Sequence, residues 1–349
     1  MKIFLTSFLF TCFLLGLQAQ DQHFTQFYAA PLTINPGLTG AYDGTYRFSA
    51  IYRDQWRRTL ESPYTTFAAM LDVRFPMNKF SGKFKDAAAV GLMFYNDKVT
   101  GFDLNTNQIG LSFAYHKSLN QKNSQYLSLG FQGSLAQKNL NYEDLTFNDQ
   151  YNGTSGYFNQ TREDLPINNF AFSDFSFGLN YAYTPKRFTS LFAGFAMHHI
   201  FEPQVTFFET DDARNYEGST LFRKYSVFVS ASLPLGPKTS LLPRLVYQSQ
   251  GPHMQINAGT NFRFLVNDYS GVALHVGGWV RPVGNYDDNI SLDAVIMMVG
   301  IEYNNVLLGL SYDATLKDLQ TDRNGQGAFE ISVAYLGNYD SETILCPKF

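Results

Sequence analysis

The chain has 349 residues and a formal net charge of −4, from 26 Lys and Arg against 30 Asp and Glu. So mild an acidic balance gives no electrostatic basis for holding nucleic acid. Aromatic residues reach 16%, with 33 Phe and 22 Tyr, and charged residues also stop at 16%, well under the usual fraction of about a quarter.

The first nineteen residues set the compartment. Lys2 gives a positive start, Ile3 to Leu17 is almost wholly apolar, and Leu17-Gln18-Ala19 supplies small-residue cleavage chemistry. This pattern predicts a secretory signal peptide over 1–19, cut after Ala19. Cys12 lies inside the apolar run and makes no lipoprotein site. Past residue 20 no apolar stretch is long enough for a membrane helix. An exported chain that is aromatic, Gly-rich and poor in charge suggests a membrane β-barrel; a large secreted β-sandwich is the rival. Cys346 is then the single cysteine left, so no disulfide framework exists. It reads as a small apolar residue, with pairing to another chain as the alternative.

Residues 20–44 are aromatic, contain Pro and Gly, and lack alternation. They are read as an N-terminal segment, with both the lumen and the periplasmic rim open to it. From 45 to 337 the apolar residues recur at every second position. Residues 45–53 set Tyr46, Phe48, Ala50 and Tyr52 against Thr45, Arg47, Ser49 and Arg53. Residues 65–75 follow with Phe67, Leu71, Val73 and Phe75. The pattern returns around Ile109, Leu127, Phe175, Val227, Ile256, Val272, Val306 and Phe329, and weaker segments fall near 86–95, 189–199, 240–248 and 289–301. A strand with one oily and one polar face is half-buried. In a barrel the oily face meets lipid and the polar face meets the lumen. The fold class predicted is all-β: an antiparallel transmembrane barrel of about 14 strands, an even number as single-chain bacterial barrels require.

Connection lengths test this independently. The long connections, 139–170, 201–223 and 313–327, are the fifth, seventh and thirteenth. All are odd, so all emerge on one side, while the even connections are short. Short periplasmic turns opposite long extracellular loops are the asymmetry of an outer-membrane barrel. Residues 338–349 follow the last strand as a C-terminal tail, at the lumen or the periplasmic rim.

Catalytic and metal signals are weak. The six histidines form no His-x-x-x-His or His-Glu-x-x-His spacing. On a strand, His198 and His199 would point to opposite faces. No Gly-x-Ser-x-Gly elbow is present, so a hydrolase on the barrel wall needs a Ser–His pair that sequence does not reveal. Acidic clusters at 209–212 and 286–288 read as solvated loop. No catalytic residue, metal site or cofactor is assigned. The run Tyr52-Arg53-Asp54-Gln55-Trp56-Arg57-Arg58 admits two readings: an interfacial girdle with luminal arginines paired to carboxylates such as Asp72, or a partner surface.

At these residues the chain resembles the PorP/SprF family of type IX secretion system membrane proteins. Phe24-Thr25-Gln26-Phe27-Tyr28 followed by Ile34-Asn35-Pro36-Gly37-Leu38-Thr39-Gly40 is similar to the family opening. Tyr52, Arg53, Gln55 and Trp56 match its next motif. Ser311, Tyr312 and Asp313, then Gly327, Glu330 and Ile331, and finally Cys346, Pro347, Lys348 and Phe349 resemble its end. Where the family commonly has Asn-Pro-Ala-Tyr-Ala-Gly, Gly37-Leu38-Thr39 stands before Gly40. The resemblance implies an outer-membrane barrel that supports secretion, surface attachment or gliding motility. Its implied partner is a secreted cargo protein, often an adhesin, with a C-terminal targeting domain. One branch is instead associated with the periplasmic secretion ring and a peptidoglycan-binding lipoprotein.

The expectation is therefore a non-enzymatic barrel, surrounded by outer-membrane lipid, that takes cargo on its outer loops. Those loops carry Tyr142, Phe147, Tyr151, Tyr157, Phe158, Phe207, Phe208 and Tyr216, and aromatic side chains on accessible loops suit protein contacts. The rival readings are a channel for small or hydrophobic solutes and a hydrolase on the barrel wall.

Overall fold

In a computed structural model the described residues are 23–57, 63–77, 84–99, 103–142, 145–163, 165–186, 188–207, 220–267, 271–284, 290–316 and 327–337. The predicted signal peptide, both acidic clusters, Phe208, Tyr216, and the tail at 338–349 with Cys346, Pro347 and Phe349 lie outside them. Fourteen strands form one closed antiparallel barrel. They are β1 Tyr46–Gln55, β2 Tyr64–Pro76, β3 Ala87–Val99, β4 Leu104–Ser118, β5 Gln125–Asn139, β6 Asn169–Lys186 and β7 Thr189–His198. The second half comprises β8 Lys224–Pro234, β9 Thr239–Gln250, β10 His253–Asn267, β11 Val272–Gly284, β12 Ile290–Tyr303, β13 Val306–Thr315 and β14 Gly327–Gly337. Each pairs with its neighbours in sequence, and β1 closes on β14 from Tyr46 opposite Gly337 to Gln55 opposite Ala328.

The alternation explains the closure. Phe48, Leu71, Leu92, Leu111, Leu129, Val229, Val276, Val299, Leu310 and Ile331 all stand exposed on the outside. Ser49, Asp72, Ser112, His116, Ser128, Asp174, Asn180, Ser311 and Glu330 are buried inside. A slip of one residue would exchange the two sets, so register is strongly fixed. The outward belt makes this a transmembrane barrel; no helix among the described residues is long and apolar enough to cross a membrane. Several strands outrun their oily rows. β4 begins at Leu104 although Asn105, Thr106, Asn107 and Gln108 show no oily row, because backbone pairing continues past the lipid belt without needing an apolar face.

In a closed antiparallel barrel, odd connections leave by one rim and even ones by the other. The fifth, seventh and thirteenth connections therefore share a rim, here called the long-connection rim. The opposite rim carries turns such as Asn304-Asn305, where both residues have positive φ, 46° and 68°. That is the turn whose twist matches a two-residue hairpin.

Fourteen strands enclose more space than their own side chains fill. Residues 23–44 occupy it. They run from the half nearer the long-connection rim down to the start of β1, through one helical turn at Pro31–Ile34. Their apolar side chains form a core inside the barrel: Phe27 meets Trp279 edge-on at 5.6 Å, and Leu32 and Ile34 are buried. The lumen thus holds an ordered plug, and residues 23–44 are enclosed by the barrel wall.

Candidate functional site: a fastened plug between two vestibules

The plug is held at three levels. At its upper end, Glu330 accepts from the amides of Thr25 and Gln26 at 2.8 and 2.9 Å. Arg53 Nη1 donates to Glu330 Oε1 at 2.5 Å and to Asp313 Oδ2 at 3.0 Å. Arg281 Nη2 reaches the same Asp313 oxygen at 2.6 Å, and the Thr25 hydroxyl donates to it at 2.8 Å. Gln26 Nε2 donates to Ser311 Oγ at 3.0 Å, and Ser332 Oγ donates to Gln26 Oε1 at 2.7 Å. The two arginines face Asp313 and Glu330, Arg281 also reaches Asp293 at 3.1 Å, and the added hydrogen bonds offset the cost of burying these charges. Arg281 is aimed locally: β11 shifts register between Arg281 and Pro282, since proline cannot donate to the ladder and sits at such irregularities.

At mid-height, Asn35 Nδ2 donates to the carbonyls of Leu179 and Phe195 at 2.8 and 3.2 Å, while its Oδ1 accepts from Gly37 at 2.7 Å. Pro36 and Gly37 press on β5 so closely that a Cβ at Gly130 would stand 2.3 Å from the Pro36 carbonyl carbon. Lower still, Gly40 takes φ 71° and donates to Asp72 at 2.7 Å. Arg47 grips both oxygens of Asp72 at 2.9 and 2.7 Å, so the carboxylate expected to serve the arginines of 52–58 is taken by Arg47, and Arg53 pairs with Asp313 and Glu330 instead.

Two Ser–His pairs lie on the wall. His116 Nδ1 is 2.7 Å from Ser128 Oγ and its Nε2 is 2.8 Å from the Thr39 carbonyl. His198 Nδ1 is 3.1 Å from Ser176 Oγ and its Nε2 is 3.1 Å from the Ile34 carbonyl. A carbonyl only accepts, so each Nε2 carries the proton and each serine donates to Nδ1. The arrangement occurs twice, each time ending on a plug carbonyl. These histidines fasten the plug. One sequence expectation needs correction: His198 and His199 do not take opposite faces. β7 ends at His198, and His199 adopts φ 55°. Its ring therefore also turns inward, 3.0 Å from Asp174 Oδ2.

The plug separates two cavities. One, of about 140 Å³, lies on the long-connection side and rests on Leu32 and Thr33; Asp97, Gln132, Asp174 and His198 are on its wall. The other, of about 120 Å³, lies on the short-turn side among Tyr28, Leu38, Phe192 and Phe228. Arg244 lies over the Tyr28 ring there, 4.1 Å from its centre. Among the described residues no group of three or more His, Cys, Asp or Glu is arranged to hold a metal.

The motif residues divide accordingly. Asn35, Pro36, Gly40, Arg53, Ser311, Asp313 and Glu330 converge on the plug. Tyr52 and Tyr312 point outward. Trp56 lies at the rim with φ 63° and packs edge-on against Tyr64 at 5.4 Å, while Gln55 accepts from Arg53 Nε at 3.4 Å. The loop aromatics stay apart from the plug. Phe158 is 77% exposed, and Tyr151 and Tyr157, both exposed, pack together at 5.4 Å across an isolated bridge. Tyr142 and Phe147 are half-buried, and Phe207 packs edge-on against Phe170 at 4.8 Å. Sequence reasoning missed Arg281, Gln132 and Asp174. Alternation placed their faces inward but carried no signal for their partners. It also passed over Phe201, 73% exposed and set against Phe175 at 5.6 Å.

Among curated proteins none matches the sequence. Solved structures of similar shape include the CymD monoaromatic hydrocarbon channel, at 11% identity and TM-score 0.49, covering 90% of this chain and 94% of that one. The Pseudomonas putida toluene transporter TodX matches at 11% identity and TM-score 0.45, over 91% and 94%. CdiB from Escherichia coli matches at 11% identity and TM-score 0.43, over 83% of this chain and 63% of its own. The sequence itself matches the family model of the type IX secretion system membrane protein PorP/SprF over residues 16–335. The closed barrel, the plug and the motifs that fasten it thus belong to a member of the PorP/SprF family.

Proposed function

We propose that this protein is a non-enzymatic outer-membrane barrel that holds a secreted cargo protein at the surface, through the connections at 139–170 and 201–223. The observation that carries the reading is the contrast between lumen and rim. The lumen is filled by a plug bonded to the wall from end to end, whereas Tyr151, Tyr157, Phe158 and Phe201 stand exposed at the long-connection rim. Exposed aromatics bury large area on docking at little entropic cost. The cargo would carry a C-terminal targeting domain, and the long-connection rim would face outward. With residues 23–44 inside the lumen, a ring protein or peptidoglycan-binding lipoprotein would meet the short turns.

Deleting residues 145–165 tests this directly. Surface retention of the cognate cargo is expected to fall while the barrel still assembles; retention at the parental level would remove this loop as the dock.

A solute channel is the second reading, favoured by the two vestibules that approach each other across the plug. It requires the plug to move. A hydrolase on the wall is disfavoured, because Ser128 and Ser176 are buried and their histidines are tied to plug carbonyls.

A further inference from the structure

The cavity on the long-connection side, with a volume of about 140 Å³, has room for roughly ten water molecules. Two acceptors on its wall have no hydrogen-bond partner, although both side chains are more than nine-tenths buried: Gln132 Oε1 on β5 and Asp174 Oδ1 on β6. Gln132 lies opposite Ser176, and Ser134 opposite Asp174, so the two acceptors are diagonal neighbours on one luminal face. The second Asp174 oxygen is already held by His199 at 3.0 Å. A buried acceptor left unpaired has lost its water without replacement and is destabilising. Two of them side by side in one cavity call for a ligand that brings N–H or O–H donors.

Charge narrows the class. The wall carries two carboxylates, Asp97 and Asp174, and two ammonium groups, Lys138 and Lys224. Their signs cancel, which gives no net field to select a cation or an anion. Tyr95 and Phe172 add aromatic surface above the apolar floor of Leu32. A pyranose ring matches this wall: its hydroxyl edge donates and accepts, and its C–H face packs on rings. We propose that this vestibule binds a neutral sugar unit whose hydroxyls donate to Gln132 Oε1 and Asp174 Oδ1. The site goes beyond cargo capture; Leu221 of the 201–223 connection lines it, but no residue of the segment 145–165 does.

The test uses the full mature protein in a detergent without a sugar head group. It is titrated by calorimetry with glucose, galactose, mannose and N-acetylglucosamine, and with arginine amide as the cationic control. At least one sugar is expected to bind with a dissociation constant of about 1 mM, and arginine amide is not. Gln132→Leu is expected to weaken that binding by about ten-fold. Phe172→Ala, which removes an aromatic face without touching either acceptor, is expected to weaken it as well, and heat-modified gel mobility checks that each variant is folded. Absence of binding by all four sugars, binding of arginine amide alone, or parental affinity in both folded variants would overturn the proposal. Cargo retention, read after loop deletion, fails or survives independently of these titrations.

Discussion

Arg53 ties the plug to both carboxylates of the upper fastening. One nitrogen, Nη1, lies within 3.2 Å of Thr25 Oγ1, Asp313 Oδ2 and Glu330 Oε1. Replacing it with methionine leaves Asp313 with Arg281, and Glu330 with two plug amides, so some compensation survives. Removing one partner of a buried ion pair costs about 3–5 kcal/mol, and the remaining bonds place Arg53→Met near the lower end. Hydrogen exchange should report the loss as faster exchange at the amides of residues 25–30. Parental protection would mean that Arg53 does not secure the plug. Lysine restores the charge but not the planar fork, so Arg53→Lys should recover only part of the protection.

At the scale of elements, the Asn35-Pro36-Gly37 turn depends on a bare position in the wall. A methyl group at Gly130 would collide with backbone, not with a side chain that can swing away. Overpacking of this kind costs about 1–3 kcal/mol even where atoms can shift. Gly130→Ala should therefore displace the turn and open a path between the vestibules. In planar bilayers the variant is expected to show steady conductance where the parent is nearly closed, and equal conductance in both would sink the argument.

The loop after β5 contains its own tether. Asp149 accepts from the Arg162 amide at 2.6 Å and from the Thr161 hydroxyl at 3.1 Å. Donation from that amide, followed by the Thr161 bond, holds its carboxyl below the usual carboxylate range. A carboxyl with a lowered folded pKa contributes fully above its unfolded value of about 3.9 and loses the contribution as pH falls through the folded one. The tether should thus persist from neutral pH to about pH 5 and release only in stronger acid. Peptides covering 159–163 should exchange faster in Asp149→Ala than in the parent at pH 5 and above. Equal exchange there would show that the carboxylate does not order the loop.

For the molecule as a whole, the plug and the rim pull the two functional readings apart. Cargo capture needs the long connections and is indifferent to what fills the lumen. A channel needs the plug to leave. Conductance of the parent protein, measured beside cargo retention after deletion of 145–165, separates them. The strand count and the sorting of long connections to one rim were both legible before any coordinates, because period-two alternation and odd-even parity are local properties of the chain. The destination of residues 23–44 was not, since no local pattern distinguishes a luminal plug from a segment at the rim.

The amino-acid sequence by itself determined the barrel: alternation fixes which face meets lipid, and connection lengths fix which rim carries the loops. It also carried the family's motifs, yet as separate words, from Phe24-Thr25-Gln26 at one end to Glu330 at the other. Only the tertiary structure decided that Thr25, Gln26, Arg53, Ser311, Asp313 and Glu330 form one buried knot with Arg281. Closure of β1 on β14 brings chain positions about 300 residues apart within hydrogen-bond reach. Which inward charge meets which is set by that closure and by strand register, and neither leaves a trace in the local pattern of residues.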